Sequence, residues 1–69
     1  MEVRSHVAGI LVEYLAQVGD LVAEGQDVVS LESMKMEILV QTPVSGVVRE
    51  VICQPGDFVN EGDLLMILE

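Results

Sequence analysis

Lys35 stands between two methionines in the stretch Glu32-Ser33-Met34-Lys35-Met36-Glu37. A lysine amine can attack an electrophile, form a Schiff base or accept an acyl group as an amide. With a reference pKa of about 10.4, an ordinary amine is protonated at neutral pH and reacts poorly until the proton is removed. Activation inside a protein calls for a desolvating apolar pocket or a second cation. The residues beside Lys35 supply neither, so any acylation depends on another protein. Taken residue by residue, the same stretch also reads as a surface lysine balanced by Glu32 and Glu37, with Met34 and Met36 filling a core edge.

Other reactive side chains are few. His6 is the only histidine, and a metal site needs three or four donors. Cys53 is the only cysteine, which rules out an internal disulfide and points to a reducing compartment and a small core residue. Paired carboxylates, a Ser/His/Asp set and a phosphate loop are absent at useful spacing, so no catalysis by the chain itself is expected. Twelve acidic residues against three basic ones give a formal charge of −9, which would repel nucleic acid and anionic membrane surfaces. No apolar run approaches the roughly 18 residues of a membrane span. The start Met1-Glu2-Val3-Arg4-Ser5 lacks the pattern of a secretion signal. A cytoplasmic protein, monomeric on its own, is the expectation.

With 69 residues there is room for one small domain, residues 1–69, and little room for a deep pocket. The elements that must position Lys35 come from a duplication. Val7-Ala8-Gly9-Ile10-Leu11-Val12-Glu13 matches Val44-Ser45-Gly46-Val47-Val48-Arg49-Glu50, and Gln17-Val18-Gly19-Asp20 matches Gln54-Pro55-Gly56-Asp57. The offset is 37 residues throughout, giving half-repeats 7–32 and 44–69 around a hairpin segment 33–43. Two copies are too few for a solenoid. Short runs of valine, isoleucine and leucine, cut by Gly-Asp and Glu-Gly turns, read as strands. Leu11, Tyr14 and Ala16 are expected to face inward, with Val48, Val51 and Cys53 as their counterparts. The resulting expectation is an all-β fold: two four-stranded antiparallel sheets in a flattened barrel or sandwich with pseudo-two-fold symmetry.

Strand-like runs enter and leave the central segment, which places a hairpin tip near Met34-Lys35. Tight hairpin turns favour asparagine, aspartate or glycine, because their central residues need positive φ. Methionine and lysine break that rule where exposure is greatest, and such conflicts concentrate at functional sites.

In these residues the chain resembles the biotinyl/lipoyl attachment domain family. Glu32-Ser33-Met34-Lys35-Met36 is similar to the family's biotin-attachment motif, and the paired Gly-Asp turns and Thr42-Pro43-Val44-Ser45-Gly46 also fit. His6 departs from it, since members often carry proline there. The resemblance implies covalent biotin on Lys35, placed by a biotin protein ligase. Met34 and Met36 would be flanking recognition elements, and Glu32 a further ligase contact. It also implies a non-catalytic carrier that takes carboxyl groups from a biotin carboxylase to a carboxyltransferase, of the type without a protruding loop in the first half. Two alternatives stay open: a lipoyl or dual carrier, against which Met34 and Met36 argue, and an unmodified adaptor domain of the same fold.

Overall fold

Alternation of apolar runs with glycine-bearing turns produces eight short strands and no helix in the computed structural model, which describes every residue from Met1 to Glu69. The strands are β1 (Glu2–Arg4), β2 (Gly9–Tyr14), β3 (Leu21–Val22), β4 (Asp27–Ser33), β5 (Met36–Gln41), β6 (Gly46–Val51), β7 (Phe58–Val59) and β8 (Leu64–Leu68). They form two four-stranded antiparallel sheets, ordered β1-β8-β6-β3 and β5-β4-β2-β7. The inward residues of both sheets, among them Leu11, Leu31, Val48, Leu65 and Leu68, are almost completely buried between the layers. Tyr14, Val51 and Cys53 pack against this core while half-buried, and Ala16 lies within it.

The two sheets are related by the 37-residue offset, strand for strand. Ser30↔Leu39 and Val29↔Val40 in one sheet correspond to Ile67↔Glu2 and Met66↔Val3 in the other. Register shifts recur at equivalent places, between Leu11 and Glu13 and between Val48 and Glu50. The relation therefore continues beyond the segments whose sequences match. β5 is the counterpart of β1, and the Thr42 hydroxyl donates to the Val44 carbonyl as the Ser5 hydroxyl donates to that of Val7. Only Ser33–Glu37 have no equivalent at that offset. Residues 1–5 and 38–42 share so little sequence that the pairing pattern alone reveals them as equivalent.

Local turn chemistry is also duplicated. The Asp20 carboxylate accepts the Gln17 amide at 2.9 Å, and Asp57 accepts the Gln54 amide at 2.9 Å. Between each pair lies a glycine with left-handed backbone, Gly19 at φ 96° and Gly56 at φ 95°, which other residues adopt only at a cost. Tyr14 breaks the symmetry. Its hydroxyl donates to the Leu65 carbonyl at 2.8 Å and accepts the Cys53 amide at 3.1 Å, tying the first repeat to the second where Val51 cannot reciprocate.

Candidate modification site

Strands β4 and β5 pair in register through Leu31↔Ile38, Glu32↔Glu37 and Ser33↔Met36, which leaves a loop of only two residues, Met34 and Lys35. Their φ values are 53° and 64°, so the turn is the left-handed kind that suits the twist of paired strands. They are the only non-glycine residues of the chain with positive φ. Each such residue costs on the order of 1–3 kcal/mol and persists only when its surroundings hold it there. Here the surroundings are the ladder of β4 against both β5 and β2.

Gly9 seats that ladder. A Cβ on Gly9 would stand 2.7 Å from the Glu32 carbonyl oxygen, so β2 approaches β4 too closely for any other residue. Its counterpart Gly46 packs against the Glu69 carbonyl, where a Cβ would stand 3.0 Å away. Gly9 therefore lies at the tip end of the sandwich. Gly46 lies at the far end, reached after β5 has carried the chain six residues away from the tip.

The side chains at the tip are turned to solvent. Met34 is 92% exposed and Met36 64% exposed, and Lys35 is exposed between them without an ion pair. The methionines are not equivalent: Met34 sits in the turn, whereas Met36 is the first residue of β5. Neither fills a core edge. Glu32 and Glu37 face each other across the strands, a like-charge pairing that is unfavourable in a sheet. The Ser30 hydroxyl donates to Glu37 Oε2 at 3.0 Å and fixes one member of the pair. Ser30 itself is buried, and a lone serine in a run of valines was its signal in the sequence.

His6 is exposed and stands apart from the tip sequence, and no group of three or more His, Cys, Asp or Glu side chains is placed to hold a metal. Burial pushes the Cys53 thiol above its ordinary range, assisted by the charges of Asp57 and Asp63. That is the opposite of what a nucleophilic cysteine needs. No helix is long and apolar enough to cross a membrane.

The tip can present one primary amine at the end of a paired hairpin, and no surrounding side chain encloses it. Residues 1–68 match the family model described as "Biotin-requiring enzyme", the biotin/lipoyl attachment family. The chain belongs to that family. Solved structures agree with the assignment at the level of fold and sequence together. Kluyveromyces lactis urea carboxylase matches this biotin/lipoyl chain with a TM-score of 0.94 and 33% identity, over 100% of this chain and 6% of that one. A single-chain, multi-domain long-chain acyl-CoA carboxylase matches with a TM-score of 0.87 and 33% identity, over 96% of this chain and 6% of the other. Among curated proteins none matches. This biotin/lipoyl domain thus spans a small fraction of the carboxylases it resembles.

Proposed function

We propose that the chain is a biotin carboxyl carrier, with biotin joined as an amide to Nζ of Lys35. The observation that carries this reading is the placement of Lys35 in a two-residue turn, exposed and without an ion pair, between two exposed methionines. Such an amine fits the requirement of the group, which is covalent attachment at a point that a second active site can enclose. Lys35 gives up a proton to a biotin protein ligase. Its Nζ then forms one bond to the carboxyl carbon of biotin, activated as an acyl adenylate, and AMP leaves with the bonding pair. When bound, the vitamin supplies a carrier for a carboxyl group.

Apart from Lys35, the chain's own residues position rather than react. The β4–β5 ladder holds Lys35 at the extremity. Met34 and Met36 offer flexible, polarizable side chains to an apolar groove of the ligase, and Glu32 offers it a charge. A biotin carboxylase and a carboxyltransferase are the downstream partners in this reading, which the likeness to two carboxylases supports. Tethering raises the effective concentration of the carried group at both sites without free diffusion. The chain itself catalyses nothing, and a cytoplasmic setting suits its single unpaired cysteine.

The test is intact mass after incubation with ATP, biotin and a biotin protein ligase, beside a Lys35→Arg control. One added biotinyl group in the parent and none in the variant is the expected result. No addition, in a tube where a known carrier is labelled, overturns the biotin assignment and directs the same assay to a lipoyl ligase and lipoate.

A further inference from the structure

The outer face of the β5-β4-β2-β7 sheet carries a continuous row of exposed side chains just below the tip. Phe58 pairs with Ile10, Ile10 with Glu32, and Glu32 with Glu37, so one residue from each strand contributes. At the usual spacing of about 4.8 Å between strands the row is about 14 Å wide. Phe58 is 61% exposed and Ile10 39% exposed, so half the row is apolar and half is carboxylate. Ser33↔Met36 is the only pair between this row and the turn that holds Lys35.

We infer that the Ile10–Phe58 pair is a docking surface for the ligase that modifies Lys35, and that the partner presents an apolar socket for these two side chains with cations beside it, opposite Glu32 and Glu37. The inference rests on Lys35 being the modified residue. Reach selects the ligase among the partners. To acylate Nζ, an enzyme must bring its own active site to the end of one lysine side chain. Its surface then covers β4 and β5 behind the tip and extends along the same row to Ile10 on β2 and Phe58 on β7. Enzymes that act on the finished arm meet its far end and can stand off by the added length.

Charge agrees with this choice. Lys35 is the only cation in the β5-β4-β2-β7 sheet and its turns, whereas Arg4 and Arg49 both lie on the other sheet. The single ion pair of the molecule, Arg4 with Glu2, is there too. A cationic partner is therefore attracted to the face that carries the Ile10–Phe58 pair. An aromatic side chain left more than half exposed on a two-residue edge strand contributes little to the fold. It is the type of residue that anchors protein interfaces.

The duplication supplies an internal control. Leu21 and Val47 are the counterparts of Phe58 and Ile10; they pair in the same way and are 77% and 37% exposed. Val47 exchanges backbone hydrogen bonds with Glu69 at 3.0 and 2.9 Å, so this second row lies on the other sheet at the end away from Lys35. Its local environment is nearly the same and its distance from the tip is not.

The experiment measures steady-state biotinylation by a biotin protein ligase as a function of carrier concentration. It compares the parent, Phe58→Ser, Ile10→Thr, Leu21→Ser and Val47→Thr, with thermal melts to establish that each is folded. Phe58→Ser is expected to raise KM about tenfold or more, as loss of an interface anchor does, with kcat unchanged. Ile10→Thr should move KM the same way by a smaller factor, and the two control variants should leave it within twofold. A folded Phe58→Ser protein labelled at the parental KM overturns the inference while leaving Lys35 as the carrier site. So does an equal loss in Leu21→Ser, or a normal KM accompanied by loss of transfer in a complete carboxylase, which would give the row to a downstream enzyme. A parent that is not labelled at all overturns the reading of Lys35 itself.

Discussion

Replacing Met34 with asparagine separates what the turn costs the backbone from what its side chain does. Met34 is 92% exposed, so almost no buried surface is lost with it. Its φ of 53° is left-handed. That conformation costs an ordinary L-residue about 1–2 kcal/mol, and asparagine occupies it more readily because its short polar side chain bonds locally. Met34→Asn should therefore stabilise the fold by roughly 1 kcal/mol, or about 4–8 °C in Tm for a domain of this size. Met36→Asn is the matched control. It lies in β5, where asparagine is a poor strand former, and should lower Tm slightly. Differential scanning calorimetry of the unmodified proteins reads both. Biotinylation of Met34→Asn should fall even as Tm rises, because the ligase loses an apolar contact. A Met34→Asn protein with unchanged or lowered Tm would refute the claim that this turn stores backbone strain.

Further tests follow from the packing. Gly9→Ala puts a Cβ against the Glu32 carbonyl and should cost about 1–3 kcal/mol in urea denaturation, as overpacking does. Gly46→Ala meets the Glu69 carbonyl at 3.0 Å, a less severe approach than the 2.7 Å at Gly9, and should cost less. Tyr14→Phe strands the Cys53 amide, while the Leu65 carbonyl keeps the Ile52 amide at 3.0 Å, and should cost about 1–3 kcal/mol. Burial raises the Tyr14 hydroxyl above its ordinary 10.0 and the Cys53 thiol above 9.0. Their neutral forms are favoured in the fold, so this stabilisation is complete below those values and is lost as pH climbs through the raised ones. Thermal melts from pH 8 to about pH 11 should show Tm falling, with a shallower alkaline decline in a Tyr14→Phe, Cys53→Ala double variant.

The duplicated turns were legible because each needs a glycine followed by an aspartate, a chemical demand that survives in both copies. The tip was legible for the opposite reason, since Met34 and Lys35 contradict the residues such a turn prefers. What the sequence concealed lies in pairings between distant segments. The equivalence of β1 and β5 rests on backbone pairing and on a serine standing for a threonine at residues 5 and 42. Ile10 and Phe58 are 48 residues apart and meet only because β7 joins the edge of β2. Tyr14 read as one more inward residue. That its hydroxyl spans the two repeats depends on where Cys53 and Leu65 come to rest.

Pulling on the two ends of the chain would act on the sandwich unevenly. The Met1 ammonium donates to the Leu68 carbonyl at 2.8 Å, and the Leu68 amide to the Met1 carbonyl at 2.7 Å, so the ends lie side by side on neighbouring antiparallel strands. Force applied there opens β1 from β8 like a zipper, one rung at a time, and meets little mechanical resistance. The β4–β5 hairpin, at the other end, bears none of that load until β1 has come away. A pull between Lys35 and either terminus runs along the strands instead and must shear whole ladders together. The molecule should accordingly be soft when drawn by its ends and stiff when drawn by its tip.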